Sequence, residues 1–163
     1  MRPLCFLLGV LFAATMRAAA PPAVKRELAA VIEAPVILKV RALPQPLRRS
    51  LAKTFRMRQL ELASVGERVR ETDFHIVGDP ESDADARAPY RRLIFAFSIP
   101  SYYIVYYEHR APIGGSALVF TKQPVPQFVW GGVDFDEPWA KTPRALAHRI
   151  LRNHLIDDKP FYW

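Results

Sequence analysis

Residues 91–109 read RRLIFAFSIPSYYIVYYEH, and this stretch decides the fold. Leu93, Phe95, Phe97 and Ile99 alternate with their neighbours, so on a regular strand they share one face. Pro100 and Ser101 suit a reversal, and residues 102–108 return with the β-branched and aromatic side chains that fit a pleated surface. The spacing predicts a β-hairpin. Two further strands are expected over 117–121 and 127–133, separated by loops carrying Gly114-Gly115 and Pro124 with Pro126. Four consecutive strands joined by short links favour an antiparallel meander.

Upstream, Pro21, Pro22, Pro35, Pro44 and Pro46 keep any element short. Val24, Leu28, Val31 and Ile32 follow helical spacing and predict a short helix closed before Pro35. Residues 36–42 read as extended. Pro46 fits a first helical turn, with Leu47, Leu51 and Phe55 on one face and Arg48, Arg49, Lys53 and Arg56 on the others. Leu60 and Leu62 alternate with polar residues up to Gly66, and Phe74, Ile76 and Val77 suggest another strand over 69–77. Residues 78–89 are acidic and poor in large apolar groups, which predicts a surface loop.

At the other end, Thr142-Pro143 forms a helix N-cap and first-turn pair before the apolar stripe Leu146, Ile150, Leu151 and Leu155. Arg144, His148 and Arg152 recur on the polar side, and Asp157-Asp158 should close the helix. Phe161, Tyr162 and Trp163 are too aromatic for an idle tail and are expected to dock on the body. The fold class expected is α+β: an antiparallel β-meander of about four to six strands with flanking N-terminal and C-terminal helices on one face.

The first 20 residues have the order of a secretory leader: Arg2, an apolar run from Leu4 to Ala14, and the small residues Ala18, Ala19 and Ala20. Export leaves a Pro-rich segment over 21–45 with its short helix, then one α+β domain over 46–163. The apolar run is too short for a permanent anchor, since a bilayer core takes about 20 residues of helix, so the mature form is expected to lack a transmembrane segment. The chain's one cysteine, Cys5, falls within the leader. A cleaved product therefore has no disulfide, thiolate nucleophile or zinc-thiolate site.

The 23 basic residues less Arg2 and Arg17 leave 21 against 16 acids, a charge of +5. For a periplasmic or secreted protein this points to an envelope protein or an anionic polymer as partner, and away from nucleic acid. No GxGxxG or GxxxxGK run occurs, which disfavours a nucleotide, and no cofactor signature is present.

Among candidate sites, Asp79, Glu81, Asp83 and Asp85 alternate as in the first half of a calcium loop, but Ala84 and Tyr90 stand where that loop needs Gly and Glu. The histidines His75, His109, His148 and His154 form no HExxH pair, so no metal site is expected. The run Gly114-Gly115-Ser116-Ala117 lacks the GxSxG elbow of serine hydrolases. Two functional expectations follow. The first is a non-enzymatic binding or interaction protein that uses Tyr103 and Tyr107 of an exposed sheet face, or the basic helical face of Arg144, His148 and Arg152. The second is a small hydrolase in which His109 works with Asp134, Asp136 or Glu137, carboxylates placed near Trp130 and Trp139.

Overall fold

A computed structural model describes residues 19–70, 87–110, 113–135 and 138–155. The protein is α+β. Its sheet contains β1 (Arg91–Ser98), β2 (Tyr102–Arg110), β3 (Ile113–Thr121) and β4 (Phe128–Asp134), antiparallel and in the order of the sequence. The α-helices α1 (Pro22–Leu28) and α2 (Gln45–Thr54) precede the sheet and α3 (Pro143–Leu151) follows it. Among the described residues no helix is long and apolar enough to cross a membrane. Residues 1–18 of the expected leader, the acidic loop residues 79–85, His75 and the aromatic end 161–163 lie outside the described residues, whereas Ala20 is described and buried against the α1–α3 core.

The β1–β2 hairpin closes at Pro100-Ser101, where Ile99 and Tyr102 exchange backbone hydrogen bonds of 2.9 and 3.3 Å. Glu27 of α1 accepts the Ser101 backbone N–H at 2.9 Å, which fastens the helix to the turn. The even alternation expected through β1 is interrupted by a register shift between Leu93 and Phe95. A bulge adds a residue to one strand and reverses the facing of what precedes it. Leu93 therefore joins the opposite core from Phe95, Phe97 and Ile99.

Those two cores lie on the two faces of the sheet. One holds Val24 and Leu28 of α1 and Leu146, Ala147 and Ile150 of α3 against Phe95, Phe97, Ile104, Tyr106 and Val119. The other holds Leu47 and Leu51 of α2 with Phe55 and Leu62 against Leu93, Val105, Tyr107, Leu118 and Phe120. The terminal helices α1 and α3 thus share a face as expected, whereas α2 packs on the reverse side. Each buried Leu or Phe contributes about 1.5–3 kcal/mol, and neither face of so apolar a sheet can be left to water. Ile32 lies beyond the end of α1 and is 72% exposed, so the apolar spacing there outruns the helix.

The strands expected over 36–42 and 60–66 shrink to single bridges, while that over 69–77 lies mostly outside the described residues. Ile37 pairs with Ala96 and Ala63 with Arg92, and Val40–Ala42 is a 3-10 turn. Both bridges hydrogen-bond the outer edge of β1, through Ile37 N–H to the Ala96 carbonyl at 2.7 Å and Ala63 N–H to the Arg91 carbonyl at 2.9 Å. Irregular chain thus covers a sheet edge that would otherwise offer unpaired backbone groups.

Two helices end on the same device. Arg56 after α2 and Asn153 after α3 adopt φ of 55 and 57. In each, the next N–H reaches back into the last turn, Met57 to the Ala52 carbonyl at 2.8 Å and His154 to the Arg149 carbonyl at 3.0 Å, the pairing of a Schellman motif. Helix α3 begins at the expected cap, the Thr142 hydroxyl accepting Ala145 N–H at 3.2 Å, but it stops at Leu151, ahead of Asp157-Asp158.

Candidate functional site

Polar side chains gather at one end of the sheet, where β1 and β3 begin and β2 and β4 end. The alternation of the strands sorts them onto two faces. On the α3 face, Glu108, Gly115 and Asp134 stand side by side across β2, β3 and β4. Asp134 is fully buried and forms an ion pair with Arg149 of α3, whose second terminal nitrogen donates to the Pro138 carbonyl at 2.6 Å. The Tyr106 hydroxyl donates to the same Asp134 carboxylate at 3.3 Å. To reach it, the Tyr106 ring crosses Gly115, where an added Cβ would stand 2.5 Å from the phenol oxygen. Burial first, and the Asp134 charge second, raise the Tyr106 phenol far above its ordinary range. Glu108 pairs with Arg92 and borders a surface pocket of about 420 Å³ with Val65, Trp139 and Lys141.

The α2 face carries Arg91, Tyr107, His109 and Ser116. Arg91 is paired in register with His109, and Tyr107 with Ser116. The Arg91 guanidinium stacks 4.6 Å from the Phe55 ring centre, and Phe55 meets Tyr107 edge-on at 5.3 Å. His109 packs 6.3 Å from Tyr107 and lies over Gly114, where a Cβ would come within 3.1 Å of its ring. Desolvation pushes the Tyr107 phenol up to about 12, against the opposing pull of the nearby Arg91 charge and Ser116 hydroxyl. Gly114 and Gly115 belong to the start of β3 rather than to the turn expected there, and each makes room for an aromatic ring of β2.

Of the catalytic candidates, His109 and Asp134 are accordingly not brought together. His109 and Asp134 occupy opposite faces of the sheet, and Asp136 and Glu137 lie outside the described residues. Tyr107 is wholly buried and Tyr103 half-buried in the α2-side core, so the expected bare tyrosine face is a covered one. Arg144, His148 and Arg152 do lie exposed on the outer side of α3. Among the described residues no group of three or more His, Cys, Asp and Glu side chains is placed to hold a metal ion.

A third feature lies on the outer flank of α2. A groove of about 510 Å³ is lined by Arg48, Arg49, Lys53 and Arg58 beside Gln45 and Gln59, over a floor that includes Met57 and Leu60. Four cationic side chains line it, and among the described residues no acid does. The helical pattern placed Arg48, Arg49 and Lys53 outward, but only the return of residues 57–60 along the helix makes a groove of them.

Sequence reasoning missed Arg149, Tyr106, Arg91 and Ser116. One signal for Arg149 was available: it follows Leu146 by three positions, at the margin of the apolar stripe, where a charged residue is half enclosed. Its partner 15 positions away was not legible from helical spacing. Searches of known protein families, of curated proteins and of solved structures find no match to this chain.

Proposed function

We propose that the chain is an exported bacterial binding protein, not an enzyme, and that it holds an anionic polymer of the envelope along the α2 groove. The observation that carries this reading is the lining of Arg48, Arg49, Lys53 and Arg58 without a carboxylate among the described groove residues. Like charges held along one cleft repel each other, and a polyanion relieves that repulsion while releasing its own counterions. The apolar floor at Met57 and Leu60 adds contact for sugar rings or methylene groups. A polyuronate satisfies both demands. Export rests on the leader-like order of residues 1–20 and places the protein in the periplasm or outside the cell.

The separation of His109 from Asp134 by the sheet favours binding over hydrolysis, because acid–base catalysis needs both groups within reach of one bond. The test is titration of the mature protein with alginate at several salt concentrations. Arg48→Glu with Lys53→Glu should weaken binding at least tenfold and flatten its salt dependence, while Arg144→Glu with Arg152→Glu on α3 serves as the basic-face control. Equal losses from both pairs would mean diffuse charge attraction, and no loss from the α2 pair would refute the groove. Cell fractionation checks the compartment: full-length chain found only in the cytosol removes the envelope partner.

A further inference from the structure

We propose, building on the polyanion reading of the α2 groove, that the binding surface continues across α2 into a second cavity and so selects longer oligomers of a polyuronate over its short fragments. The second cavity, about 590 Å³, is lined by Ser50, Lys53 and Thr54 of α2 and by residues 125–128, where β3 passes to β4. Helical spacing sets Ser50 and Thr54 on one flank of α2 and Arg48 and Ala52 on the other, with Lys53 on the ridge between them. Lys53 accordingly lines both cavities. Among the described residues no acid lines either one, so a polyanion meets no like charge as it crosses the ridge.

The two cavities differ in chemistry. The groove holds four cations, whereas the second cavity sets Lys53 alone beside the apolar Val125, 56% exposed, and Phe128, 37% exposed. Phe128 meets Phe120 edge-on at 5.9 Å, which fixes its ring while part of it faces solvent. The far wall is preformed. The Ser50 hydroxyl donates to the Pro126 carbonyl at 2.5 Å, and Thr121 brackets Gln127, donating its N–H to that carbonyl at 2.9 Å and accepting the Gln127 N–H on its hydroxyl at 3.0 Å. A wall already held in place needs little ordering when a ligand binds. An aromatic ring with the exposed Gln127 amide beside it suits the C–H face and hydroxyls of a pyranose, while the groove suits carboxylates. Each unit of a polyuronate carries both. A helix is about 10–12 Å across with its side chains, so a disaccharide fills one cavity and a hexasaccharide reaches both.

Alginate disaccharide and hexasaccharide are the probes, titrated by calorimetry against the mature protein at low and high salt. The hexasaccharide should bind about tenfold or more tighter, because its second contact is intramolecular. Phe128→Ala should remove about threefold or more of that advantage and leave the salt slope as it was, since an apolar contact releases no counterions. Val125→Glu should act in the same direction by placing a like charge on the far wall, with Ile32→Glu beyond α1 as the same-charge control. Arg48→Glu with Arg58→Glu should weaken both oligomers and flatten the slope. If Phe128→Ala fails to fold, Val125→Glu decides, because Val125 is exposed in the β3–β4 connection and tolerates exchange. A hexasaccharide that needs Arg48 and Arg58 but is indifferent to Phe128→Ala and to Val125→Glu, or that loses as much from Ile32→Glu, overturns the second cavity and leaves the groove standing. Oligomers that fail to bind at all remove the groove, and the extension with it.

Discussion

His109 and Asp134 sit back to back: the imidazole packs over Gly114 on the α2 face, and the carboxylate lies beside the adjacent Gly115 on the α3 face. The sheet between them denies the two groups a shared bond or a shared ligand. Side chains parted by the two faces of a sheet couple weakly, so His109→Ala and Asp134→Asn should destabilise additively, to within about 0.5 kcal/mol. Denaturant unfolding of both single variants and the double variant measures this. A coupling well above that value would show that the two faces communicate.

Arg149 holds α3 and the chain at Pro138 to the end of β4 through one guanidinium. Replacing it by alanine removes this counter-charge from a buried Asp134 carboxylate. Breaking such a pair costs about 3–5 kcal/mol when both partners are fully enclosed. The Arg149 side chain is 22% exposed, so solvent screening lowers the expected loss to about 2–3 kcal/mol. Arg144→Ala, on the outer side of the same helix, should stay within about 0.5 kcal/mol of the parent. Matching unfolding midpoints for the two variants would remove Arg149 from this role.

Alkaline pH should unfold the protein through its buried phenols. A phenol whose folded pKa is raised favours the native state while it stays neutral, so the stabilisation is complete below the unfolded value near 10. It drains away as pH climbs from there through about 12, because the unfolded chain can ionise and the native chain cannot. Tyr107 alone accounts for roughly 3 kcal/mol over that window, and Tyr106 acts in the same direction. Tyr107→Phe should lose correspondingly less stability between pH 10 and 12, read from denaturant unfolding alongside phenolate absorbance. An equal loss in the variant would show that Tyr107 is not among the groups responsible.

Local rules made much of the secondary structure legible. The Pro100-Ser101 reversal, the Thr142-Pro143 cap and the Leu47, Leu51 and Phe55 stripe each depend on a few adjacent residues, and each sits where its chemistry requires. Where the reading overran, the cause was a missing partner or a tertiary contact. Residues 36–42 and 60–63 have strand-forming side chains, but the outer edge of β1 engages only one residue of each as a bridge. The bulge after Leu93 is invisible in an apolar alternation that continues unbroken through it.

The α+β class, the meander and the outward placement of Arg49 and Lys53 on α2 and of Arg144 and His148 on α3 were legible in the sequence, because periodicity and capping act over short distances along the chain. Which face of the sheet each polar group joined was settled by packing across the whole fold. That choice parted His109 from Asp134, buried Tyr107 and brought Arg149 to Asp134. A strand tells alternate residues to point apart, but which of those directions meets α2 and which meets α3 is set when the helices dock, by contacts that span the whole chain.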